Sequence, residues 1–282
     1  MGKDVALVLS SGGARGLAHI GAIEELEAQG YRITSIAGCS MGALIGGVYA
    51  AGKLDEFRNW MKTVDRKKML ELTDFSFSLN HIVKGTRIIE AIMEFVPDVK
   101  IEDLPIPYCA VATDWVTGHE VVFREGSLFE AIRASISLPS FYEPVHRDGM
   151  ILIDGGVTNP IPLNRVVRKE GDILVGVDVS GHDYKAQSEM HHELAEKRKR
   201  STSLSQQILN KLIPDNLEFN YYTMLSRVSS ILIRQNSILM AQLMKPDILV
   251  DIQMARYGGF DFDKSEKLIA IGRQKTLQAL NK

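Results

Sequence analysis

Cysteine is nearly missing from this chain. Cys39 and Cys109 are the only two among 282 residues, and neither stands in a CxxC or Cys/His pattern. That excludes a disulfide framework and a structural zinc site, and neither a metal nor a cofactor is expected. The scarcity suits a reducing, cytoplasmic setting. A charge excess of one sign is missing too: 33 Lys and Arg face 35 Asp and Glu, a formal net charge of −2. Nucleic-acid binders carry a basic surplus or stripe, so nucleic acid is not an expected partner. Long hydrophobic runs are absent as well. Residues 5–9 are too few for a signal-peptide core, and Ala6 stands where N-myristoylation needs Ser or Thr. Residues 33–52 lack charge over 20 positions, but five glycines with Ser and Thr among them make a buried strand and helix the better reading than a membrane span. What remains, 45% hydrophobic and 24% charged, is the balance of a folded globular protein.

Read along its length, the chain alternates strands and helices. Residues 5–9 are a Val-rich apolar run of the kind buried on both faces. A glycine loop and a helix over 17–29 come next, with Leu17, Ile20, Ile23 and Leu26 at near-helical spacing before Gly30. Residues 33–37 predict a second strand, 38–42 a tight turn, and 43–51 a helix closed by Gly52. Such βαβα order predicts an α/β fold in three layers, a mostly parallel central sheet with helices on both faces. Further strands are expected at 108–113, 119–123, 150–153, 173–179 and 248–252, and helices within 160–169, over 217–244, and from Asp263 as N-cap. The aromatic and serine-rich stretch 75–79 reads as a flap over a cleft. The polar segment 181–213, with the basic run Lys197 to Arg200, reads as a mobile insertion in a single domain spanning 1–282.

Chemistry concentrates at strand ends. Gly38-Cys39-Ser40-Met41-Gly42 comes after a strand and opens a helix, the setting of a nucleophile elbow. There the serine hydroxyl is lifted on a strained turn and the helix dipole favours negative charge beside it. Cys39 competes only formally, since the elbow presents its central residue. Ser11 to Gly16 lie between a strand and a helix, with backbone amides available for an anion. A dinucleotide loop is disfavoured because Ser11 breaks the Gly-x-Gly-x-x-Gly spacing, and a Walker loop because no Gly-Lys-Ser/Thr succeeds it. An oxyanion hole beside Ser40 is the alternative. Asp154-Gly155-Gly156 ends a later strand; taken alone, this triplet reads more readily as a turn.

Together these motifs, with Ala134-Ser135-Ile136-Ser137-Leu138-Pro139, resemble the patatin-like phospholipase family over roughly the first two-thirds of the chain, and its small bacterial members in particular. The resemblance implies a patatin-type sandwich, a Ser40 nucleophile with Asp154 as general base, and an oxyanion hole from Gly12, Gly13, Ala14 and Arg15. It implies a lipid ester as substrate, phospholipid or lysophospholipid, and no cofactor. Ser11 departs from the Gly of many members, with little consequence where backbone amides act. Two other readings stand beside it: an α/β-hydrolase triad of Ser40, Asp154 and His182, and a catalytically silent lipid-binding or regulatory protein. Lys197 to Arg200 beside Leu204 and Ile208 invite a peripheral membrane contact.

Overall fold

The computed structural model describes residues 3–65, 67–68, 71, 86–139, 141–181, 188, 221–254, 257–259 and 261–282. The expected flap at 75–79, His182 and the basic run at 197–200 lie outside the described residues, as does nearly all of the polar segment 181–213.

Among the described residues one sheet holds eight strands: β1 (Lys3–Leu9), β2 (Tyr31–Cys39), β3 (Tyr108–Asp114), β4 (Glu120–Phe123), β5 (Val145–Arg147), β6 (Met150–Asp154), β7 (Ile173–Gly181) and β8 (Ile248–Gln253). Their order is β5-β6-β3-β2-β1-β7-β8, with β4 paired to β3. The run from β3 through β2, β1 and β7 to β8 is parallel, and β4, β5 and β6 add antiparallel pairs at one side. The helices among the described residues are α1 (Ala18–Ala28), α2 (Met41–Ala50), α3 (Leu54–Lys62), α4 (Thr86–Met93), α5 (Leu128–Ser135), α6 (Tyr221–Met244) and α7 (Ser265–Leu280).

β1 shows why its run is uninterruptedly apolar. Val5, Leu7 and Leu9 enter a core shared with α1, α2, α3, α5 and α7, while Ala6 and Val8 face a second core of Ile161, Leu163, Val166 and Leu174. Met240, Ala241 and Met244 of α6 cover that second core. A central strand covered on both faces has no polar side to show. The two ends of the described chain meet across the first face, where α7 packs on α1. They come so close that a Cβ on Gly272 would lie 1.9 Å from the Ala18 carbonyl oxygen.

Two expected elements differ. No helix forms within 160–169, which is a series of turns. Pro162 holds Ile161 away from the helical region, and Ile161 and Leu163 are drawn into the second core. Asp263 is not the residue that precedes the helix: it sits inside a short 3-10 turn, Phe262–Lys264, and α7 starts at Ser265 after Lys264. Among the described residues no helix is long and apolar enough to cross a membrane.

Strand register around β3 brings distant segments together. β4 pairs with Ala110 to Thr113 along one edge. β2 and β6 share the other, with Cys39 opposite Val111 and Asp154 opposite Ala112. β2 runs parallel and β6 antiparallel to β3, so their carboxyl ends meet head to head. Ser40 and Asp154 are thereby brought together at neighbouring positions of one strand, although 114 residues separate them.

Candidate active site

Ser40 stands between the last residue of β2 and the first of α2 with φ 53 and ψ −121. A non-glycine residue there stores about 1–3 kcal/mol of strain unless its surroundings over-determine it. They do. A Cβ on Gly38 would lie 2.4 Å from the Gly42 carbonyl oxygen, and one on Gly42 would lie 2.2 Å from that of Leu9. Those contacts explain the two glycines of the elbow: β2, α2 and the end of β1 approach backbone to backbone. The Ser40 N–H donates to Ser135 Oγ at 2.9 Å, and Ser135 Oγ donates onward to the Val111 carbonyl at 2.6 Å. Ser135 thus ties the elbow to β3. Sequence reasoning included this residue in a motif and assigned it no role; its only local signal is a serine at the end of an otherwise apolar helix face.

The Ser40 hydroxyl donates to Asp154 Oδ2 at 2.6 Å. The other carboxylate oxygen accepts the Gly156 N–H at 2.7 Å. Asp154 is further fixed through its backbone: its N–H donates to the Ser137 carbonyl at 2.9 Å, and its carbonyl accepts the Thr113 hydroxyl at 3.1 Å. Gly155 is glycine for a visible reason, since a Cβ there would sit 2.1 Å from the Val111 carbonyl oxygen. Burial raises the Asp154 pKa to about 6, against the opposing pull of the Ser40 hydroxyl and the Gly156 amide. A carboxylate so poised is a far better base near neutrality than one with the usual pKa near 4.

Beyond β1 the glycine loop is stapled to its neighbours. Ser11 N–H donates to the Pro160 carbonyl at 2.8 Å and Ala14 N–H to the Gly259 carbonyl at 2.7 Å. Gly13 has φ +55, and a Cβ on it would meet Gly259 O at 2.6 Å. Gly12 lies so near β7 that a Cβ would fall 2.3 Å from Val179 Cγ2. The Arg15 Nε–H donates back to the Gly12 carbonyl at 3.3 Å. Burial lowers the pKa of its guanidinium, and the charge of Asp178 opposes the shift. Of the four candidate donors, Ala14 is therefore engaged elsewhere, while the amides of Gly12 and Gly13 have no acceptor among the described residues. Cys39 is buried, and burial together with the charge of Asp154 pushes its thiol well above the usual range. It is no rival nucleophile in this setting.

A model of the family described as patatin-like phospholipase matches residues 7–167, which contain Ser40, Asp154 and the loop residues Gly12 to Arg15. The chain is 47% identical over 179 residues to an uncharacterized NTE family protein of Mycobacterium tuberculosis, a match covering 64% of this chain and 50% of that protein. It is 31% identical over 189 residues to the neuropathy target esterase of Drosophila melanogaster, covering 64% of this chain and 13% of the fly protein. The chain thus spans half the length of the mycobacterial relative and far less of the fly one. Among solved structures, VipD from Legionella pneumophila superposes with a TM-score of 0.51 at 14% identity, covering 99% of this chain and 67% of that one. At that identity the likeness concerns the fold alone.

Proposed function

The chain belongs to the patatin-like phospholipase family, and from that membership we propose that it is a serine acyl hydrolase of lipid carboxylic esters, acting on phospholipid or lysophospholipid. The observation that carries the reading is the 2.6 Å hydrogen bond from the Ser40 hydroxyl to a buried carboxylate, at an elbow strained to hold it there. Ser40 Oγ attacks the ester carbonyl as its proton passes to Asp154 Oδ2. The tetrahedral oxyanion is received by the amides of Gly12 and Gly13 beside Arg15, with Ala14 keeping its bond to Gly259. Collapse expels the alcohol, which takes the proton from Asp154 and leaves an acyl ester on Ser40. Water then attacks that ester, gives its proton to Asp154, and releases the fatty acid as Ser40 recovers its hydrogen.

No imidazole lies between hydroxyl and carboxylate, and this supports a two-residue mechanism over a triad through His182. An activated hydroxyl also weighs against a silent lipid-binding scaffold. The packing of α7 on α1 supports treating 1–282 as one domain. The direct test is turnover of a soluble nitrophenyl ester. Ser40→Ala should abolish it while leaving the melting temperature near that of the parent, and retained turnover would overturn the assignment.

A further inference from the structure

α6 has two unlike sides. One is built into the fold: Met240, Ala241 and Met244 pack on the second core, and Ser237 Oγ meets Ser180 Oγ at 3.3 Å. Arg234 donates to Asp178 Oδ2 at 2.8 Å and to Asp251 Oδ2 at 3.1 Å, clamping β7 to β8. These contacts set the direction of the helix. Positions 240–244 lie against the cluster holding Ala6, Val8 and Leu174, whereas Ser237 lies at the carboxyl end of β7. α6 therefore descends antiparallel to the central strands. Residues 221–236 lead past the sheet edge that carries Ser40, about 24 Å of helix at 1.5 Å per residue. α6 also touches the Gly155–Val157 turn directly after Asp154.

The other side faces solvent and, among the described side chains, carries more apolar residues than polar ones, the exposed polar residues being Arg227, Gln235 and Gln242. Met224, Val228, Ile231, Leu232, Leu239 and Leu243 are all exposed, Leu232 at 58%, Leu239 at 61% and Leu243 at 74%. Apart from a break at Gln235 they recur every three or four residues, which makes one stripe. Val157, in the turn that follows Asp154, is exposed as well. α6 contains no Asp or Glu over 221–244, and its exposed cation is Arg227.

We infer that this stripe is the face by which the protein lies on a lipid layer, with the protruding half of α6 embedded beside the entrance to Ser40. The inference rests on the lipid-ester reading of the site. A second copy of the chain bound along the protruding half would wall in the edge where Ser40 opens, whereas a lipid layer delivers substrate to that edge. With no acidic group to repel phosphates and one exposed arginine, apolar burial rather than charge carries the binding, and the helix lies along the layer rather than across it.

The test is co-sedimentation of the full chain with phosphatidylcholine vesicles, comparing the parent, M224S/V228S/L232S and Ser40→Ala. The parent and Ser40→Ala should bind alike, with little effect of salt or of added anionic lipid. The triple variant should bind at least about ten-fold more weakly, from losses of this order for each apolar side chain kept in water. Its melting temperature and its turnover of a soluble ester should stay at the parent's values, while its hydrolysis of vesicle lipid falls with binding. Equal binding by the triple variant would overturn the inference. So would binding that needs anionic lipid and vanishes in salt, or a dimer in solution that the three substitutions dissociate. Vesicle binding without hydrolysis of any ester by the parent would instead fault the chemical reading and leave the surface assignment standing.

Discussion

Asp154 is the residue on which the chemistry turns, because one property makes it useful and unstable at once. Its base form must be ionised, and burial has moved its pKa to about 6. kcat/KM should therefore be flat above about pH 6 and fall roughly ten-fold per pH unit below it. A pH–rate profile checks this, and a break near pH 4 would mean that the carboxylate is not desolvated in the working enzyme. The stability consequence has the opposite sense. The folded state holds the proton more tightly than the unfolded chain, so the contribution of Asp154 is most favourable below pH 4 and is lost as pH rises through about 6. Asp154→Asn should abolish turnover and yet raise the melting temperature at pH 8, with a gain of up to about 3 kcal/mol that fades toward pH 4. Melting curves of the two proteins across that range decide the matter. Cys39, adjacent in sequence to the nucleophile, shows how completely orientation decides reactivity: its thiol is buried and held protonated.

At the scale of elements, the strand-elbow-helix unit was legible because its requirements are local. An apolar strand, a serine between glycines at fixed offsets and a small-residue helix can be read from a dozen consecutive letters. Gly42 carries a further demand that is not local, since the carbonyl it must clear belongs to Leu9 of the neighbouring strand. Gly42→Ala should destabilise the protein by at least about 3 kcal/mol in denaturant unfolding, because backbone atoms cannot rotate aside as a side chain would. A loss below about 1 kcal/mol, the ordinary cost of a point mutation, would show that the elbow relaxes and that its strain is not over-determined. The turns at 160–169 escaped a local reading because their form comes from what Ile161 and Leu163 bury against, the second core, which no neighbouring residue announces. The same holds for the Ala14 amide. Nothing near residue 14 signals that a carbonyl from Gly259 will occupy it.

For the whole molecule, a parallel sheet with helices on both faces was readable from the alternation of elements and from central strands without a polar side. The meeting of β2 and β6 along one edge of β3 was not. It depends on two separate pairings with β3, Cys39 with Val111 and Ala112 with Asp154, and the Asp-Gly-Gly triplet by itself is an ordinary turn; only the resemblance to a family joined it to Ser40 before the register showed how. The same long-range pairing gives Ser135 its task and places α6 beside the site. The claim that depends on all of it is that Ser40 is a nucleophile activated by Asp154. A fluorophosphonate probe, with mass mapping of the adduct, tests that claim most directly. The parent should carry one adduct, on Ser40, at a rate that falls steeply in Asp154→Asn; an adduct on another residue, or equal labelling with and without the carboxylate, would contradict it.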